Sequence, residues 1–231
     1  MSDDMSYGLI SSEGNVIPLK KIVCQTDVSE NFALHTLTQK YHNETNSPLS
    51  IRYIFPVPSG GVVIDFSAVI GGKKIVSEMT DKHTAQKIAS SEKNCATLSK
   101  HSSGLLEVSL GCVASAADIT IIIKYLTNVH MEDNRLRIII PTVIAPRYVT
   151  YGKQYIIESA IEKPGYDISL NMTYKGKNIA NISSPSHDIS YEIDSYGANI
   201  TFTHQQQANK DIIIDIALHG KNRPTMYHYA D

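Results

Sequence analysis

Val62-Val63-Ile64-Asp65-Phe66-Ser67-Ala68-Val69-Ile70-Gly71-Gly72-Lys73-Lys74-Ile75-Val76-Ser77-Glu78-Met79 reads as two β-branched strands around a pair of glycines. A two-residue hairpin turn that matches strand twist needs positive φ at its centre, and glycine takes positive φ without steric cost. The stretch therefore predicts a hairpin, and its Val/Ile content sets the class of its surroundings as β.

Working outward, similar runs cover Asn15 to Val28, Phe32 to Tyr41 and Leu49 to Phe55, arriving at the interval of a sandwich. After the hairpin, Asp81 can cap free amides while Ala85, Ile88, Ala89 and Glu92 fall at helical spacing. This predicts one short helix, from Thr80 or Asp81 to about Glu92, covering one edge of the sandwich. Gly104 to Leu110, Asp118 to Tyr125 and Arg135 to Ile140 read as further strands. The last two are nearly solid apolar runs and are expected to be central and buried on both faces.

Pro141 and Pro146 bracket a stiff extended connector, since each ring removes a backbone donor and pushes its predecessor away from helix. The expected organisation is a first domain over 1–140, a connector over 141–148 and a second domain over 149–231. In the second, Tyr166 to Tyr174, Ile179 to Ile182, His187 to Ile193, Asn199 to His204 and Asp211 to Leu218 predict a smaller all-β, sandwich-like unit without a helix. The fold class is mostly β, an antiparallel β-sandwich with one short helix followed by this second unit.

Composition agrees with a β class: 30 isoleucines, 13 tyrosines, four phenylalanines and no tryptophan in 231 residues. With 42% apolar and 19% charged residues the chain can bury a sizeable core. A net charge of -2 with no long run of either sign gives no footprint for a polyanion, so no nucleic-acid partner is expected. The segment Met1 to Gly8 lacks the order of a secretory signal, and no apolar stretch is long enough to span a bilayer. The expectation is an intracellular, cytoplasmic protein with no membrane partner. Cys24, Cys95 and Cys112 are odd in number and widely spaced, which fits reduced thiols better than a disulfide framework.

A search for chemistry finds no GxSxG, P-loop, HExxH or strand-borne GxGxxG. His219, His228 and Asp231 could ligate a metal, but a solvated tail is the simpler reading. Cys95 and His101 could form a thiol and base pair, yet nothing supplies an oxyanion hole or an orienting third group. Asn43, Asn171, Asn181 and Asn199 begin glycosylation sequons, expected to be chance in an intracellular chain rich in Ser and Thr. No catalysis, cofactor or metal is expected.

One family resemblance remains. Tyr7-Gly8-Leu9, Val16-Ile17-Pro18-Leu19, Tyr53-Ile54-Phe55-Pro56-Val57-Pro58, the hairpin from Phe66 to Val76, Asp81-Lys82 with Ala85, Lys124-Tyr125 and the run Ile140 to Tyr148 resemble, in this order, the VIT domain, the vault protein and inter-alpha-trypsin module. The resemblance spans about residues 5 to 148. Gly111-Cys112 and Ser115-Ala116-Ala117 depart from the Gly-Asn and Pro-Gly turn of that pattern. The resemblance implies a non-enzymatic module for protein interaction or assembly, a scaffold that normally precedes a von Willebrand type A domain. Its partners would be proteins, with a homo-oligomer or large assembly left open; a structural part of a large particle is the alternative.

The residues expected to matter follow from these readings. Phe55 and Phe66 should anchor the core, and truncating either to Ala should cost about 3–5 kcal/mol. Arg147, beside Tyr148, should tie the connector to carbonyls of the first domain through its planar fork. Ile212 and Ile214 lie in a run, Asp211 to Leu218, expected to offer an open sheet edge to a partner strand; three successive isoleucines fit a central strand equally well.

Overall fold

The structure is a computed structural model that describes residues 8–29, 31–76, 97–100, 105–141, 150–151, 154–155, 166–203 and 211–220. Every regular element among them is a strand. In chain order these are β1 (Gly8–Ser11), β2 (Leu19–Ser29), β3 (Phe32–His42), β4 (Leu49–Pro56), β5 (Val62–Ile70) and β6 (Lys73–Val76). There follow β7 (Thr97–Lys100), β8 (Leu105–Val113), β9 (Asp118–Asn128), β10 (His130–Glu132), β11 (Arg135–Ile140), β12 (Thr150–Tyr151) and β13 (Gln154–Tyr155). The last are β14 (Asp167–Lys175), β15 (Ile179–Ser183), β16 (Ser190–Ile193), β17 (Gly197–Thr203) and β18 (Ile212–Leu218). The helix expected from Thr80 to Glu92, and nearly all of the Pro141 to Tyr148 connector, lie outside the described residues.

The Gly71-Gly72 hairpin is present. β5 pairs with β6 from Ser67↔Val76 to Ile70↔Lys73, and the two glycines have φ of 54° and 81°. Around this hairpin an eight-stranded sheet runs β16-β17-β14-β2-β3-β9-β5-β6. A four-stranded sheet, β1-β4-β8-β7, faces its middle. The facing is carried by aromatic rings: Tyr53 of β4 meets Phe66 of β5 at 5.7 Å between centroids, and Phe55 meets Tyr125 of β9 at 5.5 Å. Phe55 and Phe66, at 0% and 1% exposure, are core side chains as expected. A second four-stranded sheet runs β10-β11-β18-β15, and β12 and β13 make a small hairpin.

The near-solid isoleucine runs are buried on one face only, a correction to the expectation. In β9, Ile119, Ile121, Ile123 and Tyr125 are buried while Thr120, Ile122 and Lys124 are half-buried. In β11, Leu136, Ile138 and Ile140 point inward and Arg135, Arg137 and Ile139 outward. Both strands are interior to antiparallel neighbours, and such sheets cover one face and leave the other partly solvated. Centrality in a sheet and burial on both faces are separate properties, and an apolar run does not distinguish them.

Strand pairing also crosses the boundary placed at 141–148. β14 lies parallel to β2 from Asp167↔Lys21 to Lys175↔Ser29, and β18 lies antiparallel to β11 from Arg135↔Ala217 to Ile140↔Ile212. Parallel neighbours need a long crossover, which the residues between β2 and β14 provide. Buried side chains from both sides of the boundary, such as Ile22, Tyr125, Leu170 and Ile214, belong to one continuous core. β18 is flanked by β11 on one side and β15 on the other. The open edge expected along Asp211 to Leu218 is therefore an interior strand, with Ile212 and Ile214 fully buried.

Candidate interaction surface

Of the residues singled out in the sequence, Phe55, Phe66, Ile212 and Ile214 share the core and form no surface site. Arg147, Tyr148, Cys95, His101, His228 and Asp231 lie outside the described residues, and His219 is exposed. Among the described residues no group of three or more His, Cys, Asp or Glu could hold a metal ion. No helix among them is long and apolar enough to cross a membrane.

The titratable groups in the core are held inert. Burial pushes the Cys24 thiol up to about 12, far from a reactive thiolate. His35 of β3 bridges Thr26 Oγ1 at 3.0 Å and Thr127 Oγ1 at 2.9 Å, stacks on Tyr125 at 4.7 Å, and is pushed down to about 4 by burial. It is a neutral imidazole clasped between three strands, out of reach of any substrate. Ser186 and His187 touch at 2.8 Å, but Ser186 Oγ also accepts the Ile213 amide at 2.8 Å and the His187 ring stacks on Phe202 at 5.1 Å. That contact ties the β15–β16 connection to β18 and Phe202, and lends itself poorly to nucleophilic catalysis. Asn43, first of the sequons, is 1% exposed and donates to the Ser47 and Ala114 carbonyls, so its amide is occupied in the folded chain.

The fork expected at Arg147 lies outside the described residues, while Arg137 makes a planar fork of its own. Its Nε and one terminal nitrogen donate to the two oxygens of Asp215 at 2.8 and 2.9 Å, and Arg135 approaches the same carboxylate at 3.9 Å. Asp215 is 6% exposed, and the Arg137 hydrogen bonds hold its carboxyl below its ordinary range. The pair spans β11 and β18 in direct register and so clamps the two sides of the connector together. The sequence carried a signal for it: Asp215 is the lone acid within Ile212 to Leu218, and a carboxylate in such a run needs a cation opposite.

Exposed apolar side chains occur on several strands, including Val62, Ile64 and Val76 at the β5-β6 end, and three of them, Tyr191, Ile193 and Tyr196, gather at the other end of the large sheet. β16 is its edge strand, and all four of its residues are exposed. Tyr191 and Ile193 pair with Ile200 and Ala198, both buried, so they stand on the core-side face of the sheet beyond the reach of its cover. Their exposures are 42% and 49%. The turn into β17 is built rather than loose. Asp194 Oδ1 accepts the amides of Tyr196 at 2.7 Å and Gly197 at 2.9 Å, and the Asp194 amide donates to the Gly197 carbonyl at 2.9 Å. Gly197 has no substitute, because a Cβ there would lie 1.8 Å from the Tyr174 carbonyl oxygen. The Gly176 amide braces the Tyr196 carbonyl at 3.2 Å. On this fixed turn the Tyr196 ring is 82% exposed. Sequence reading missed this cluster, because exposure at a sheet's end is decided by which strands pair, and Tyr191, Ile193 and Tyr196 read there as ordinary strand and turn residues.

The layered, largely antiparallel sheets built around the Gly71-Gly72 hairpin define the class of β-sandwich modules. Residues 19–125 match the model of the Vault protein inter-alpha-trypsin domain, so the chain carries a VIT domain. It is 31% identical over 178 residues to von Willebrand factor A domain-containing protein 5A of Mus musculus, covering 72% of this chain and 22% of that protein. It is 25% identical over 166 residues to protein mono-ADP-ribosyltransferase PARP4 of Homo sapiens, covering 70% of this chain and 10% of that one. The chain thus spans about a fifth, and about a tenth, of the length of these relatives. Among solved structures, an M1 zinc metallopeptidase from Deinococcus radiodurans overlays 93% of this chain and 44% of its own, with a TM-score of 0.48 and 11% identity. That likeness is too slight to extend to chemistry.

Proposed function

We propose that this chain is a non-enzymatic protein-interaction module, working inside the cell as a scaffold ahead of a von Willebrand type A domain. The observation that carries the reading is the β16 edge. It combines a backbone edge that no other described strand pairs, a shelf of Tyr191 and Ile193, and a tyrosine fixed on a hydrogen-bonded turn. Edge strands of this kind are aggregation-prone unless a partner covers them, and tyrosines on rigid supports are favoured anchors at interfaces. The relatives' names supply the rest: one is a von Willebrand factor A domain-containing protein several times longer than this chain. A protein partner would add a strand to β16 and pack a side chain against Tyr191 and Ile193.

The test is quantitative binding between the full-length protein and the proteins that co-purify with it. Ile193→Asp combined with Tyr196→Ser should weaken binding at least about tenfold, the effect of losing one modest anchor. Asn171→Asp, exposed on the opposite face of the same sheet, should leave it unchanged. Equal effects from the two variants, or none from the first, would reject the β16 surface.

A further inference from the structure

The large sheet ends in two strands of opposite character. β16 closes one end with Glu192 and the turn residue Asp194, and β6 closes the other with Lys73 and Lys74, all four exposed. No other described strand pairs with the free side of either. The two edges also run the same way. Of the seven pairings that lead from β16 across the sheet to β6, six are antiparallel and one, β14 with β2, is parallel. Two copies of the chain set side by side in one orientation therefore bring β16 of the first against β6 of the next as parallel neighbours.

Faces and backbone groups agree with that approach. Tyr191 and Ile193 stand on the core-side face, and so does Ile75, whose partner Ala68 is fully buried and pairs in turn with buried Ile121. Glu192 and Lys74 stand on the opposite face. The Asp194 amide bonds to the Gly197 carbonyl, and bonded and unbonded pairs alternate along an antiparallel ladder. Tyr191 and Ile193 are then at unbonded positions and turn their amides and carbonyls outward. The two-residue Gly71-Gly72 turn closes on the Ile70–Lys73 pair, so by the same alternation Lys74 and Val76 turn theirs outward. With Ile193 opposite Ile75 of the next copy, the slanted bonds of a parallel ladder run from the Ile193 amide to the Lys74 carbonyl and from the Val76 amide to the Ile193 carbonyl. Glu192 then falls opposite Lys74, and Tyr191 opposite the aliphatic stem of Lys73. Pairing β16 with itself about a two-fold would instead bring the acidic Glu192 and Asp194 of both copies together.

We propose that this chain associates head to tail with copies of itself, β16 of one copy adding in parallel to β6 of the next, with Glu192 opposite Lys74. The proposal rests on the reading of β16 as a protein-docking edge and names its occupant. Such a contact joins two different surfaces, so it builds rings or open chains and not a closed pair. Lysines on an edge repel most added strands, and Lys73 and Lys74 thereby select an acidic one.

Sedimentation velocity of the full-length protein over a rising concentration series reads the association. The wild type should form species larger than a dimer. Glu192→Lys and Lys74→Glu should each weaken association about tenfold, since each sets like charges opposite one another. Both side chains are exposed, so neither change disturbs the fold. Mixed in equal amounts, the two variants should associate as the wild type does, because every contact between unlike chains again opposes a carboxylate to an ammonium. A loss that mixing does not restore, or an association that Lys74→Glu leaves intact, overturns the proposal. A wild type that stays monomeric at every concentration also overturns it, but leaves β16 as a docking edge for other proteins, which the binding loss in Ile193→Asp/Tyr196→Ser decides separately.

Discussion

Rows of paired residues across the large sheet show how its centre differs from its outer wing. On the core-side face one row runs Thr26, Met172, Ile200, Tyr191, and the next runs Val28, Tyr174, Ala198, Ile193. The first three members of each row are at most 5% exposed, and the last jumps to 42% and 49%. The core's cover therefore ends at β17, and β16 extends one strand past it. In the centre, by contrast, β3, β9 and β5 lie beneath the small sheet and bury aromatic rings together with His35, Gln39 and three tyrosines. The comparison separates two properties that sequence patterns merge: β14 and β17 are as much core as β3 and β9, although they lie outside the residues that match the VIT model. The boundary of a family match is not the boundary of a sheet.

The largest way to break this comparison is to charge the wing where it joins the centre. Met172 is 2% exposed and pairs with Thr26 across the parallel β14–β2 ladder. Met172→Asp loses a buried side chain and places an unpaired carboxylate in the core, at a cost of at least about 5 kcal/mol. If one core serves both regions, amide exchange protection should collapse along residues 119–125 together with residues 168–174. Protection that survives at 119–125 while 168–174 exchanges freely would make the regions independent units.

A smaller effect tests the centre by pH. His35 has its folded pKa pushed down to about 4, below the about 6.5 of an unfolded histidine, so the unfolded chain binds the proton more tightly. The stability it contributes is complete above about pH 6.5, falls as pH drops through the interval, and is lost below about pH 4, a change of about 3 kcal/mol. Urea unfolding at steps from pH 7 to 4 measures it, with His35→Gln expected to flatten the slope. Asp215 has the opposite origin but the same direction, and its loss comes at lower pH, below the ordinary carboxylate range. A slope between pH 6.5 and 4 that persists in His35→Gln would move the acid sensitivity away from the centre.

Much of the fold was legible where local chemistry decides it. Gly71-Gly72 must turn, Phe55 and Phe66 must be buried in a chain poor in aromatics, and the ordered pieces from Tyr7 to Tyr148 carry the VIT resemblance, of which residues 19–125 match the family model. The wing was not legible, because the β2–β14 pairing joins residues more than a hundred positions apart, and no local pattern records a parallel partner. The same reason misplaced β18. Its isoleucines allowed an interior strand or an edge, and only the flanking β11 and β15 settle which. The Arg137–Asp215 fork was half legible: a lone acid in an apolar run demands a cation, but only the register brings Arg137 opposite it.

The smallest expected effect lies at the tip of the wing. Tyr196 is 82% exposed, and the hydrogen bonds of its turn are made by backbone amides and by Asp194, none by its own ring. Tyr196→Ser should therefore change the stability of the isolated chain by less than about 0.5 kcal/mol, the range of an ordinary surface substitution. Asp194→Ala removes the carboxylate that accepts two amides, and should cost about 1 kcal/mol or somewhat more. The order of these two numbers carries the argument. A turn that matters to the fold, holding a ring that does not, is what the proposed display of Tyr196 to a partner requires. Thermal or urea unfolding of the two variants measures both. A loss above about 1 kcal/mol for Tyr196→Ser would mean that the ring packs on its own chain, and the wing would then end as the centre does, covered from within.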